Sequence, residues 1–422
     1  MKNILLIADD LTGACDTGIK FQRLGWETTV LINGKSDIPK PEGEMKAVSV
    51  NTDTRSASPE DSFGIVRDIL GSIEDRDRYY FYKKIDSVLR GNIVSELEAF
   101  FQVLHNEMVL VVPGVPENGR YVKDGVLYLG DREDPDTKID GIKLLSEGGK
   151  RRCGSIGLSV IHQGKDAVIR EIERKASEGE KILLADSWED EDLRILAEAL
   201  LELRDRCIPA GSAGLAQFLA EALARESGQG KSSPEVKLED GALLIVVGSR
   251  HPVTVEQVRE LKSQSDIETH LLEIEELGAD NVDERAGKAC EGIHAGAHVP
   301  GRTILLTTDD IYTCVDQQEN LFSTNAFNRF IMEGLGKAAA IITERIPVRS
   351  IIATGGDISA EVFRQLELDK ILLCDEPIPG IVTGFACGTK GRCFKVATKS
   401  GGFGNRSAMA ELCDYMKDHQ ET

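Results

Sequence analysis

Apolar runs of five to seven residues alternate with longer amphipathic stretches almost from end to end of this chain, and few folds accept that pattern. Strand candidates are Asn3–Ala8, Glu27–Ile32, Ala47–Asn51, Tyr79–Lys84, Met108–Val112, Lys181–Ala185, Ala242–Val247, Thr303–Thr307, Ser350–Ala353 and Ile371–Cys374. Between them, Pro59–Gly71, Val94–Leu104, Leu193–Leu203, Val255–Ser263 and Phe327–Thr343 carry helical spacing. Such alternation predicts an α/β fold of mostly parallel sheets flanked by helices. One hairpin signal interrupts it, Val122-Lys123-Asp124-Gly125-Val126, with Asp-Gly in a tight turn.

At 422 residues the chain is long enough for two or three domains, each with its own core. Ala210–Ala224 reads as an Ala/Leu-rich helix; Arg225–Gly241 then turns polar, and a fresh strand begins at Ala242. That signature of a linker predicts two α/β domains, residues 1–230 and 240–422. With 41% hydrophobic and 29% charged residues the chain is not disordered. A net charge of -21 repels phosphate backbones and anionic lipid, so neither nucleic acid nor membrane is expected as a partner. An anionic substrate would need a local basic pocket.

No segment approaches the ~20 apolar residues of a membrane helix. Asp9-Asp10 ends the N-terminal apolar run too early for a secretory signal, so a cytoplasmic location is expected. The nine cysteines are scattered, form no Cys-x-x-Cys, and are expected to be reduced. No heptads or broad apolar helix face argue for an interface, which leaves a homo-oligomer open.

Three strand ends in the first domain carry ionisable clusters. Ile4–Ala8 delivers two consecutive acids, Asp9 and Asp10, followed by a small-residue turn into a helix. Ligands of open α/β sheets sit in the crevice beyond the strand C-termini. Adjacent acids there point different ways, so one can orient a substrate while the other takes a proton or binds a cation; alternatively one simply caps the helix. Tyr82-Lys83-Lys84-Ile85-Asp86-Ser87-Val88-Leu89-Arg90-Gly91-Asn92 ends a second strand, with Lys83 and Lys84 on opposite faces. Asn51-Thr52-Asp53-Thr54-Arg55 ends a third and offers a guanidinium fork. An aspartyl phosphohydrolase would need Asp-x-Asp-x-Thr; Asp10-Leu11-Thr12 fits the second half, but Ala8 stands where the nucleophile must be.

The second domain carries glycine turns instead: Val247-Gly248-Ser249-Arg250, Thr354-Gly355-Gly356-Asp357-Ile358 and Lys399-Ser400-Gly401-Gly402-Phe403-Gly404. Such turns let backbone N–H groups approach an anion, and helix N-termini add positive dipole. Neither common nucleotide fingerprint occurs, which also counts against an NAD-dependent dehydrogenase. Cys290, His294 and His298 recur at four-residue spacing, but three candidate ligands on a glycine-weakened helix make a poor zinc site.

Taken in order, these motifs resemble the four-carbon acid sugar kinase family. The resemblance rests on Ile7-Ala8-Asp9-Asp10-Leu11-Thr12-Gly13-Ala14 with Asp16-Thr17-Gly18, on Lys83–Asn92, on Gly211-Ser212-Ala213-Gly214-Leu215-Ala216, on Ala353–Asp357 and on Lys399–Gly404, and so spans nearly the whole chain. It implies ATP-dependent phosphorylation of the 4-hydroxyl of threonate, erythronate or a 3-oxo-tetronate. It further implies an N-terminal domain for the acid sugar, a C-terminal domain for the nucleotide, and an active site in the cleft between them. On that footing Arg55 and Lys84 would take the substrate's carboxylate or hydroxyls, and Asp9, Asp86 and Ser87 its hydroxyls. Asp10 is the first candidate base and Asp357 the second. Ser249, Gly355, Gly356, Asp357, Ile358 and Gly401 would line the ATP site. Mg²⁺ is expected from the nucleotide, though no pattern names its ligands. The competing functions are a non-catalytic sugar-acid-binding protein and a phosphohydrolase of the same compounds.

Overall fold

A computed structural model describes the chain except for residues 1, 35–37, 39–44, 106–107, 133, 228–233, 235, 265–266, 275–276, 295–300, 309–324 and 419–422. It divides into two compact units, Met1–Ser232 and Ser233–Thr422.

The first unit opens β1 (Asn3–Ala8), α1 (Leu11–Gln22), β2 (Glu27–Leu31), β3 (Lys46–Asn51), α2 (Pro59–Gly71), β4 (Tyr79–Lys84), α3 (Ile93–Leu104) and β5 (Met108–Val112). A three-stranded antiparallel sheet follows, β6 (Arg120–Lys123), β7 (Val126–Gly130) and β8 (Pro135–Asp140). Then come α4 (Gly141–Ser146), β9 (Arg152–Ile156), α5 (Leu158–Ile161), α6 (Lys165–Ser177), β10 (Glu180–Ala185), α7 (Asp190–Glu202), β11 (Cys207–Gly211) and α8 (Ala213–Ser227). The main sheet runs β2-β3-β1-β4-β11-β5-β10-β9, with every pair parallel. Helices cover both faces, so central strands such as β1 are buried along their whole length, as an unbroken apolar run demands.

In the second unit, β12 (Ala242–Val247), α9 (Pro252–Gln264), β13 (Glu268–Leu272), α10 (Val282–Ala289), β14 (Thr303–Thr308), α11 (Asn325–Arg345), β15 (Val348–Thr354) and α12 (Gly356–Gln365) precede a meander. The meander is β16 (Lys370–Ile378), β17 (Ile381–Cys387) and β18 (Cys393–Lys399), and α13 (Ala408–Asp418) closes the unit. The strand order is β13-β14-β12-β15-β18-β17-β16: β13 to β18 pair in parallel, while β17 is antiparallel to both its neighbours.

The α/β reading therefore holds, and α2 spans the residues expected from its spacing. Its start is encoded locally: Ser58 accepts from the Asp61 amide and Pro59 takes the first helical position. The Asp124-Gly125 turn is also as expected, both residues having positive φ, 53° and 74°. The second unit's sheet is mostly parallel, as expected, and the β16–β18 meander supplies its antiparallel pairs. Two expectations need correction. Ala210 and Gly211 are strand, not helix: Cys207–Gly211 is hydrogen-bonded between β4 and β5 and fully buried, and the helix starts only at Ala213. Second, Cys387 and Cys393 form a disulfide, because the β17–β18 register sets them directly opposite with Cα atoms 4.2 Å apart. The other cysteines described form no disulfide.

Candidate active site

Register brings the first unit's clusters to one level. Ala8 at the end of β1 pairs with Asn51 of β3 on one side and with Lys84 of β4 on the other. The residues just past these three ends therefore converge, and the chain leaves β1 with a strand on each flank, the place where open α/β sheets bind ligands.

Arg55 is the hub. Its Nε and Nη2 donate to Asp9 Oδ2 and Oδ1 at 2.8 and 2.9 Å, and Nη2 also reaches Asp10 Oδ1 at 2.7 Å. Asp86 Oδ1 lies 3.8 Å from the same nitrogen, and Arg90 holds Asp86 in a fork at 2.7 and 3.0 Å. Burial by itself would raise the Asp9 carboxyl; Arg55, with Lys83 and Lys84, outweighs it and holds the group below its usual range. Burial would likewise raise Asp86, but Arg90 and Arg55 bring it down to about 2.

Asp10 serves two purposes at once. It is the N-cap of α1, accepting from the Gly13 amide at 3.0 Å, while Oδ2 takes the Thr12 hydroxyl at 2.5 Å. Gly13 permits this: a Cβ there would sit 2.4 Å from Asp10 Oδ1 and 3.1 Å from Lys84 Nζ. Lys84 differs from the other cations. It is only 5% exposed, donates to the Ile85 carbonyl at 2.7 Å, and has no carboxylate within ion-pair distance among the described residues. Ser87 lies in the turn after β4, half-buried, its hydroxyl making no hydrogen bond among the described residues.

Sequence reasoning passed over Glu96 and Thr54. Glu96 Oε2 pairs with Lys83 Nζ at 2.7 Å in the core, and Oε1 accepts from the Thr54 hydroxyl. The available signal was an acid on the apolar face of α3, alongside Ile93, Leu97 and Phe100.

The second unit repeats the arrangement with different chemistry. Val247, Thr354 and Lys399 end β12, β15 and β18 in register, and the turns beyond them meet. Gly355 adopts φ 92°, which suits glycine, and its amide donates to the Lys399 carbonyl at 2.8 Å. Gly355 caps α12 without a side chain, leaving the helix's first N–H groups unclaimed by any cap; Gly356 and Asp357 begin that helix, Asp357 exposed and Ile358 buried. Ser249 follows β12 and accepts from the His251 amide at 3.3 Å. Gly401 packs so close that a Cβ would lie 2.5 Å from Ser249 Oγ.

Beneath these turns Lys399 is fully buried, donating to the Ser400 and Gly401 carbonyls at 3.0 and 3.3 Å and to Thr254 at 3.3 Å. Burial lowers it to about 8. Burial and the Lys399 charge together also lower His251. Thr354 Oγ1 is buried with no hydrogen-bond partner, a polar atom left over where the glycine turns converge. Open N–H groups, a buried cation and an orphan hydroxyl suit a triphosphate. Among the described residues no set of three His, Cys, Asp or Glu could hold a metal. His298, one of the three residues weighed and set aside as a zinc site, lies outside the described residues.

Comparison with known proteins agrees with this division of chemistry. A sugar-binding N-terminal domain model matches residues 4–219, and a nucleotide-binding C-terminal domain model matches residues 244–409. The chain belongs to the four-carbon acid sugar kinase family. Among the family's proteins it is 27% identical to a D-threonate kinase of Bordetella bronchiseptica, over 99% of this chain and 98% of the relative. It is 23% identical to a D-erythronate kinase of Heliobacterium modesticaldum (99% and 97% covered) and 26% identical to a 3-oxo-tetronate kinase of Methylobacterium radiotolerans (97% and 98%). A solved protein of Salmonella typhimurium LT2 shares the fold with a TM-score of 0.76 at 21% identity, each chain covered to 99%. No helix among the described residues is long and apolar enough to cross a membrane.

Proposed function

We propose that this family member is an ATP-dependent kinase acting on the 4-hydroxyl of a four-carbon sugar acid: threonate, erythronate or a 3-oxo-tetronate. The observation that carries the reading is Lys84, a buried ammonium without a carboxylate partner among the described residues, set beside three acids already tied to arginines. A buried cation that Asp9 and Asp86 attract only from beyond contact is incompletely neutralised, and a ligand carboxylate offsets that cost. The acids around it suit hydroxyls. Small hydroxy-acids offer little apolar surface, so charge and hydrogen bonds must hold them.

In this reading residues 1–230 bind the acid sugar and residues 240–422 bind the nucleotide. Lys84 takes the carboxylate, helped by the Arg55 Nη1 edge that Asp9 and Asp10 leave open. Asp9, Asp86 and Ser87 accept from or donate to the hydroxyls. Ser249, Gly355, Gly356, Asp357, Ile358 and Gly401 hold ATP, with Mg²⁺ carried on the phosphates, as it usually is where proteins supply few ligands. In transfer a bond forms from the acceptor oxygen to the γ-phosphorus, the bond to the β-phosphate oxygen breaks, and the hydroxyl proton passes to a carboxylate. Such reactions are mostly positioning and charge neutralisation. Asp10 already has Arg55 and the Gly13 amide on one oxygen and the Thr12 hydroxyl on the other; with both oxygens engaged it is placed to orient the substrate, which favours Asp357 for the proton.

Thermal-shift screening of four-carbon acids with and without an ATP analogue tests the reading, since binding to the native state raises apparent stability. A tetronate hit that is also turned over with ADP release supports it. Binding without turnover would favour a non-catalytic sensor, and phosphate release without ATP a phosphohydrolase.

A further inference from the structure

The Lys83–Glu96 pair plays no part in the proposed chemistry, yet it is among the most buried ionic features of the molecule, the two side chains being 0% and 1% exposed. Stability is a poor reason for keeping it. Two buried charges carry a large desolvation cost, and apolar residues of similar volume are often as stable or more so.

Its remaining bonds suggest another reason. Lys83 Nζ donates to the Ile7 carbonyl near the end of β1 at 3.3 Å and to the Lys84 carbonyl at the end of β4 at 2.7 Å. Glu96 Oε1 accepts from the hydroxyl of Thr54, just beyond β3. The Thr52 hydroxyl lies 2.7 Å from Thr54 Oγ1 and 3.0 Å from the Ala8 carbonyl, and with Thr54's own proton on Glu96 it donates its single proton to one or other of them. The amides of Thr54 and Arg55 both donate to the Asp9 carbonyl, at 3.0 and 3.2 Å. One buried pair thus joins the three strand ends that carry Asp9 and Asp10, Lys84 and Asp86, and Arg55.

We propose that Lys83 and Glu96 are positioning residues for the acid-sugar site: acting through Thr54, they set where the Arg55 guanidinium meets Asp9 and Asp10. The inference rests on the proposed sugar-acid reading of that site. A charge pair suits the task because its geometry is demanding: each carboxylate oxygen has one partner, and a shift of either partner leaves a buried charge unmet. An apolar pair would fill the same volume without specifying the height of the β3–α2 turn.

The experiment is calorimetric Kd for the four-carbon acid that the native protein binds, measured without ATP, beside KM for that acid and for ATP. Lys83→Met/Glu96→Leu removes the charges and Thr54's acceptor; Lys83→Met/Glu96→Gln keeps an acceptor without charge; Thr54→Val cuts the link and leaves the ion pair in place. The first and third variants are expected to weaken acid binding roughly tenfold, with KM for ATP within about twofold of native and with native-like denaturation midpoints, and the Gln variant to recover most of the loss. Unchanged acid affinity in folded Thr54→Val overturns the inference, even if the double variants fail to fold. Equal weakening of acid and ATP overturns it too, since that is what general loosening of the fold would do. A native protein that binds a tetronate but does not phosphorylate it would overturn the kinase reading alone, and the variant affinities would still decide this one; a native protein that binds none of the acids overturns both.

Discussion

Asp10 divides its carboxylate among a helix amide, a hydroxyl and a guanidinium, so its replacement has separable effects. Asp10→Ala should lower stability by about 1–2 kcal/mol through the lost cap, read as a shifted denaturant midpoint, whereas Asp10→Asn should keep most of the cap. If the orienting role is right, both variants lose turnover while KM for ATP stays near native. Asp86 makes a pH prediction. Its folded value of about 2 lies below the 3.8 of an ordinary Asp, so its contribution is complete above about pH 4 and disappears as the pH falls towards 2. The loss should be about 2 kcal/mol and should be absent from Asp86→Asn when unfolding is followed from pH 5 to pH 2; an identical acid profile in the variant would contradict the assignment. Asp9, Asp10, Lys84 and Asp86 were legible in the sequence because each stands at or within two residues of the end of an apolar strand. The cap role of Asp10 was foreseen as an alternative, and the structure shows it coexisting with the ion pair. Glu96 left a trace, an acid on the apolar face of α3, but an acid in a helix usually faces water, and only the fold reveals that this one faces Lys83 and takes the Thr54 hydroxyl.

At the scale of elements, both units use one device, three parallel strands ending level so that their following turns converge. Ala8, Asn51 and Lys84 do this in the first unit and Val247, Thr354 and Lys399 in the second. The first three strands announced themselves as apolar runs. β18 did not, because Cys393–Lys399 mixes lysines with apolar residues, and its antiparallel partner β17 contains a glycine. Ala210–Gly211 was misread because a short run of small residues is compatible with either state, and pairing with β4 and β5 decides it. The Cys387–Cys393 bridge depends on the register of that same unread hairpin. Lys399 yields the element-scale prediction. Its ammonium draws the Ser400 and Gly401 carbonyls inward, which leaves the turn's amides for phosphate. With a value near 8 it is charged at pH 7 and loses its charge as pH rises through 8, so KM for ATP should climb over that range. His251, the titratable neighbour that feels this charge, is already held low and stays neutral across the same range. Lys399→Arg should flatten the rise; a native KM for ATP constant from pH 7 to 9.5 would contradict the role.

For the molecule as a whole, the account assigns one ligand to each compact unit. Hydrogen exchange should show it directly. A bound tetronate is expected to slow exchange around residues 51–55 and 84–92, and ADP to slow it around residues 249–254, 354–358 and 399–402. Protection by the acid in the second unit would reverse the assignment. The central claim is simpler still: Lys84 and its acids hold a four-carbon hydroxy-carboxylate for phosphorylation by ATP. The measurement that bears on it most directly is initial-rate ADP release with a panel of threonates, erythronates and 3-oxo-tetronates, for the native protein and for Lys84→Met. The account predicts turnover with at least one of these acids and a KM for that acid raised at least roughly tenfold in the variant, with KM for ATP little changed. ADP release that no four-carbon acid stimulates, or a Lys84→Met enzyme with native kinetics, would contradict it.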